Sequence, residues 1–312
     1  MAMPISLTRG LFSGGTSILL AATLWGTTGT AQSVILDSAS PFSIGAARIV
    51  IGGLLLLALA NVVERGVGVR QLMAVSRPDR RRVRLLIALG AVSVAIYQIT
   101  FFASVATTGV AVGTVVTIGS GPAFAGLLAT ALGRRPSHRW MIATSGAVVG
   151  CAALVSGGEA AGVDPVGIVL ALVAGFGYAS YATIAGYLIN RGDDDLAVIA
   201  SLFGGAAILL LPGLIVSSPG WLLEPTALAV VLYLGAVTTT LGYVLYARGL
   251  RTTPVPTAAT LTMAEPVVAA LLGLAVLGER LGSVALAGLG TIGASLLLLI
   301  PRRKARVAAT QG

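Results

Sequence analysis

Residues 102–122 read FASVATTGVAVGTVVTIGSGP, and residues 246–266 read YARGLRTTPVPTAATLTMAEP. The second stretch repeats the first at a constant offset of 144 residues, so Phe102 aligns with Tyr246, Thr108 with Thr252 and Pro122 with Pro266. Gly146 and Gly290 keep the same register farther along. Both copies are too apolar to face water, and a duplicated membrane segment is the signature of transporters built from two related halves.

Composition agrees with that reading. Of 312 residues, 56% are hydrophobic and only 10% charged, with a mean hydropathy of +0.96. A soluble chain of this length needs far more charge to cover its surface. Apolar runs of about twenty residues recur from end to end, each long enough to cross roughly 30 Å of hydrocarbon. The chain reads as an all-α integral membrane protein in contact with the lipid bilayer. Its first apolar stretch is longer than a signal-peptide core and is expected to be a retained helix.

Ten spans are expected, near residues 15–36, 42–63, 84–106, 110–132, 140–157, 165–189, 196–216, 226–247, 255–277 and 282–300. The breaks carry turn chemistry such as Asp37-Ser38, Pro78-Asp79, Gly133 to Pro136, Asp164-Pro165 and Pro254 to Pro256. A net charge of +9 would suggest nucleic acid in a soluble protein. Here 18 of the 20 basic residues fall in alternate loops or at the termini, leaving Arg280 opposite and Arg48 within a span. That is the positive-inside pattern, with both termini cytoplasmic and no nucleic-acid partner. Five spans per copy is an odd number, so the second copy enters the membrane inverted. The expected architecture is ten transmembrane helices as two inverted five-helix repeats, residues 1–157 and 158–312.

Polar groups at membrane depth are the candidate functional residues. Glu265 lies ten residues into the ninth span, about 15 Å deep at 1.5 Å per residue, and its repeat mate is Gly121. A lone carboxylate there is costly while charged unless Arg48 or a substrate ammonium compensates. Glu265 either handles substrate or ions, or forms a structural ion pair with Arg48. Arg48 itself reads first as structural, paired with Glu265 or reaching the outer interface. Trp25, Tyr97, Gln98, Phe101, Ser120, Tyr178, Tyr181, Tyr243 and Tyr246 are the other candidates for substrate contact, with Phe102 beside them. Gln98 should face protein or water, because an unsatisfied amide in hydrocarbon is expensive.

Pro122 and Pro266 hold equivalent mid-span positions. Each removes a backbone donor and frees a carbonyl, near Ile118 and Thr262, that must find a partner or face a cavity. Two symmetric bends place a central cavity among the first, third, fourth, sixth, eighth and ninth spans. Gly109 and Gly113, between the third and fourth spans, are expected hinges for alternating access. The Gly146-x-x-x-Gly150 pair reads as helix packing.

Enzyme motifs fail in turn. His138 is the sole histidine and lies in a loop, so no intramembrane histidine metal site or Ser-His dyad is expected. Cys151 is the sole cysteine, and neither paired intramembrane aspartates nor a Walker lysine occurs. No cofactor and no metal are implied. A channel would want a ring of charges or carbonyls, usually from oligomeric symmetry, and the internal repeat argues against it. The expected partner is a small-molecule substrate, and a monomer suffices.

These motifs resemble the EamA-type drug/metabolite transporters over nearly the whole chain. The resemblance rests on Trp25-Gly26, Pro41 to Arg48, Tyr97-Gln98 through Ala106, the paired Pro122 and Pro266 segments, Ala264-Glu265-Pro266-Val267 and Leu277-Gly278-Glu279-Arg280. The first copy departs from the family pattern, with Gly133-Arg134 where Gly-Glu is usual. The Tyr97-Gln98 context looks most like bacterial amino-acid exporters of the YddG type. That resemblance implies export of amino acids and related small metabolites across the inner membrane; drug or other metabolite export is the alternative in the same fold.

Overall fold

The computed structural model describes residues 13–35, 39–63, 67–74, 78–156, 164–217, 219–276 and 282–299. Every regular element among them is helical. In chain order they are α1 (Gly14–Gly26), α2 (Thr28–Ser33), α3 (Pro41–Val63), α4 (Val67–Leu72), α5 (Arg80–Ala131), α6 (His138–Ser156) and α7 (Pro165–Asn190). There follow α8 (Asp195–Val216), α9 (Pro225–Tyr233), α10 (Gly242–Leu250), α11 (Val255–Leu261), α12 (Ala264–Val276) and α13 (Ser283–Leu299). A π-helical segment, Leu234–Leu241, joins α9 to α10.

Helix ends fall where the chain supplies caps. The Asp164 carboxylate accepts from the Val166 amide at 2.8 Å, and Asp194 accepts from the Ala197 amide at 2.8 Å. Pro165, at the first position of α7, gives up an amide that would lack a helical partner anyway. Gly133 and Gly192 end α5 and α7 with φ of 78° and 100°, a conformation that glycine adopts without strain.

Seven helical segments among the described residues are long and apolar enough to cross a bilayer: 41–63, 80–108, 112–131, 165–190, 195–216, 225–250 and 255–276. Ser283–Leu299 is a shorter apolar helix, and the expected first span is divided at Thr27 into α1 and α2. The expectation of ten spans therefore exceeds the seven seen. Large apolar side chains such as Leu54, Leu89, Ile96 and Leu127 point outward, as a lipid-facing surface requires. Several residues of the orientation argument (Arg9, Arg65, Arg77, Arg280 and the basic tail) lie outside the described residues. So does the Leu277-Gly278-Glu279-Arg280 string.

Helix α5 is 52 residues long but not straight. A Cβ at Gly113 would stand 3.0 Å from the Ser104 hydroxyl and 3.1 Å from the Val105 amide nitrogen. Nine residues of straight helix would separate Gly113 from Ser104 by about 13 Å. The chain thus folds back on itself between Thr108 and Val112, giving the two arms expected as third and fourth spans. Glycine at 113 is a steric requirement of that reversal. Gly109, the other expected hinge, lies outside the residues whose surroundings are described.

Packing runs through small residues. Both arms of α5 lie along α7, α3 pairs with α8, α1 with α10, and α6 with α13. In the α6–α13 pair a Cβ at Gly150 would meet the Gly288 carbonyl at 2.9 Å, and Gly146 sits against Ser295. The break between α1 and α2 meets the start of α12: a Cβ at Gly26 would stand 2.8 Å from the Glu265 carbonyl and 2.6 Å from the Val268 Cβ. Helix α11 packs mainly on α5, with α1, α6, α7 and α13 around it, and α12, beyond the second break, packs on α1, α2 and α13.

Candidate functional site

Five helices send aromatic rings to one place. From α5, Tyr97 lies over Phe101 with ring centroids 6.1 Å apart and faces Tyr178 and Tyr181 of α7 at 6.2 and 6.3 Å. From α1, Trp25 packs on Tyr243 and Tyr246 of α10 at 4.8 and 5.5 Å. Tyr181 and Tyr243 are 6.2 Å apart and close the ring. Phe203 of α8, which the sequence did not single out, fills its base 4.0 Å from Tyr243.

Hydroxyls stitch the wall together. The Tyr178 hydroxyl is 3.2 Å from that of Tyr246 and 3.1 Å from the Thr262 hydroxyl; Tyr181 donates to Tyr243 at 3.4 Å. The Trp25 indole N–H donates to the Thr238 carbonyl at 2.9 Å. Thr238 lies in the π-helical segment, and the Thr240 hydroxyl there donates to the Gly235 and Gly52 carbonyls at 2.9 and 3.2 Å. Such segments gather at functional sites because they displace carbonyls from the helical ladder. The run Thr238-Thr239-Thr240 between Gly235 and Gly242 was the sequence signal for it.

The two intramembrane charges join this wall. Arg48 of α3 and Glu265 of α12 are each half-buried. Glu265 lies within electrostatic reach of Arg48, and Tyr97 within reach of both, as of Tyr243 and Tyr178. Salt bridges are formed elsewhere, for example where Arg191 meets Asp79 and Asp193, and Arg251 meets Asp194 and Asp195. Arg48 and Glu265 therefore share a field without a direct ion pair, and the Arg48 Nε is buried with no hydrogen-bond partner among the described residues.

Gln98 is 2% exposed, with neither its amide oxygen nor its nitrogen bonded among the described residues. It lies where α5 presses on α3: a Cβ at Gly45 would come within 2.6 Å of its Nε2 and against the Phe102 ring. Ser120 is placed differently. Its hydroxyl donates to the Thr117 carbonyl at 3.2 Å and sits against Gly175, inside the α5–α7 seam.

The prolines part company. Pro122 stands inside continuous α5. Pro266 is the third residue of α12, after a break at Thr262-Met263, so its missing donor falls in a first turn, where amides lack helical partners anyway. The Thr262 carbonyl is not left free; it accepts from the Glu265 amide at 2.9 Å. The two prolines expected at equivalent mid-span positions thus stand differently, Pro122 within α5 and Pro266 in the first turn of α12.

Two clefts open near the arginines, one of about 440 Å³ beside Asp193, Asp194 and Arg251, the other of about 410 Å³ beside Arg134 and Arg135. Neither is lined by Gln98 or Glu265.

Known proteins share this fold. A solved crystal structure superposes with a TM-score of 0.74 at 19% identity, covering 92% of this chain and 96% of the other, which shows the fold alone. An uncharacterized transporter of Bacillus subtilis (strain 168), YwfM, is 39% identical over 290 residues, 92% of this chain and 94% of that one. An uncharacterized inner membrane transporter of Salmonella typhimurium (strain LT2), YicL, is 26% identical over 302 residues, 95% of this chain and 98% of that one. The EamA-like transporter family matches twice, over residues 12–156 and 165–300. With both halves matched and a full-length relative at 39% identity, the chain belongs to the EamA-like transporter family, a multi-pass membrane transporter.

Proposed function

We propose that the chain is a secondary transporter exporting small metabolites across a bacterial inner membrane, with amino acids, aromatic and other neutral ones, as its main substrates. It works as a monomer of ten spans in two inverted five-helix repeats, residues 1–157 and 158–312, with both termini cytoplasmic. Alternating access moves helices about the central site, flexing at Gly109 and Gly113. No catalytic step is involved, in keeping with relatives named as transporters.

One observation carries the substrate class: a half-buried cation and a half-buried anion, not paired with each other, stand in a wall of tyrosines. A buried donor without an acceptor is costly, and the carboxylate of a zwitterion relieves that cost at Arg48 while its ammonium answers the charge of Glu265. Its carboxylate meets Arg48, its ammonium meets Glu265, and its side chain lies against Tyr97, Tyr178 and Tyr243. The extent of the aromatic wall favours a second reading, in which a planar apolar cation stacks on the rings and meets Glu265 alone.

A competition panel of radiolabelled amino acids on reconstituted protein decides between them. Neutral amino acids with large side chains should compete best, and their decarboxylated amines poorly. Equal competition by the amines would move the reading to drug or other metabolite export. Transport should be downhill, since Glu265 has no second intramembrane acid with which to relay protons. Accumulation driven by a pH gradient in wild-type proteoliposomes would prove that wrong.

A further inference from the structure

Three helices place the same order of residues between one cleft and the tyrosine wall. The cleft of about 410 Å³ near the arginines is walled by Ala129, Val255 and Trp140, with Thr183 inside and Arg134 and Arg135 at its rim. Its lining comes from both halves of the family match, α5 and α6 from the first, α7 and α11 from the second. Two polar atoms of that lining are buried with no hydrogen-bond partner among the described residues, the Trp140 indole N–H and the Thr183 hydroxyl. Trp140 is only 9% exposed. Both are donors held against a largely apolar surface.

At the floor of the cleft, which Ala125 itself lines, Ala125, Ala179 and Ala259 pack on one another as a separate small cluster, one from each of α5, α7 and α11, and all are buried. Behind them stands Tyr178, whose ring lies against Gly121 and whose hydroxyl bonds Thr262. The sequence along α5 is Ala129, Ala125, Gly121; along α7 it is Thr183, Ala179, Tyr178; along α11 it is Val255, Ala259, Thr262. Steps of one to four residues span at most about 6 Å of helix, so the alanine cluster, with Phe124, Leu128 and Val255 packed against it, stands between the cleft and the Tyr178 ring.

We infer that this cleft is the inner vestibule of the transport path, and that Ala125, Ala179 and Ala259 are the gate between it and the Glu265 site. The vestibule takes solutes that join a carboxylate to an apolar body. The arginine rim raises the local concentration of anions, the walls accept the apolar part, and Trp140 and Thr183 supply hydrogen bonds. The alanine methyl groups at its centre bury less area than larger side chains there would, which lowers the cost of parting the seam. The assignment of a purpose rests on the transporter reading above; the geometry does not.

The test is cysteine accessibility to a membrane-impermeant maleimide, on a Cys151→Ala background because Cys151 is the sole cysteine. Right-side-out and inside-out vesicles are compared. Thr183→Cys should label from one side only, and that side identifies the vestibule. From the same side Thr262→Cys should label more slowly, at a rate set by residue 259: several-fold faster with Ala259→Gly and several-fold slower with Ala259→Leu. Neither change should alter Thr183→Cys. If Ala259→Leu fails to fold, Ala259→Gly, which adds no volume, carries the test. A Thr262→Cys rate indifferent to residue 259, or a Thr183→Cys that never labels, would overturn the proposal. An amino-acid panel without flux would remove the substrate class and leave the labelling pattern standing.

Discussion

Pro122 and Pro266 end two copies of one segment, and the chain folds around them in opposite ways. In the first copy the helix runs unbroken through Pro122, with Gly121 beneath the Tyr178 ring. In the second, the residue at the Gly121 place is Glu265, and the helix stops at Thr262-Met263 and restarts. The glycine leaves room for a neighbour's ring; the acid brings a charge that must be solvated or met. Breaking the helix beside it lets the Thr262 hydroxyl bond Tyr178 while its carbonyl accepts from the Glu265 amide. Duplication supplied two similar spans, and one of them has become the polar side of the site.

If that contrast is functional, exchanging its key residue should have the largest effect. Glu265→Gln keeps the shape and removes the charge. It should lower amino-acid flux in proteoliposomes at least about tenfold, the loss of one charge-assisted contact worth 1.5–3 kcal/mol, with expression unchanged. Tyr97→Ala and Gln98→Ala should reduce flux less. A Glu265→Gln protein that is instead unstable, and is rescued when Arg48 is neutralised too, would make the two charges a structural pair and break the comparison.

The crossing of the two helix breaks comes next. A Cβ at Gly26 meets the Glu265 carbonyl and the Val268 Cβ, and backbone cannot step aside as a side-chain tip can. Gly26→Ala should destabilise the protein by about 1–3 kcal/mol, the usual cost of overpacking. A thermal-shift measurement in detergent reads it, and Gly29→Ala, with open space around it, is the control. Equal melting temperatures would mean that the breaks do not bear on each other.

Much of this was legible in the chain. Uninterrupted apolar runs announced the membrane class, and Thr108-Gly109 marked the place where α5 folds back. Tyrosines at mid-span positions proved to lie together because a phenol in hydrocarbon needs a partner, and other phenols and threonines supply it. Phe203 was illegible, since an apolar ring in an apolar helix carries no mark of which way it faces. Ser120 carries a weaker mark for the opposite reason: a mid-span hydroxyl can be satisfied within its own helix, as its bond to Thr117 shows. The breaks at Thr27 and Thr262 were half-written, in weak helix formers at Gly26 to Gly29 and in a proline four residues past Thr262.

The smallest effect belongs to the prolines themselves, and it sharpens the comparison most. Replacing an interior proline restores an amide donor and relieves the clash with the carbonyl one turn earlier. Replacing a proline in a first turn changes neither, since amides there have no helical acceptor. Pro266→Ala should therefore shift stability by no more than about 0.5 kcal/mol, near the size of the unfolded-chain entropy term. Pro122→Ala should straighten α5 beside Tyr178 and change flux more than Pro266→Ala does, in the same thermal-shift and proteoliposome assays. Were the two substitutions to act alike, the prolines would be equivalent in the membrane as they are in the sequence. The asymmetry of the site would then rest on Glu265 alone.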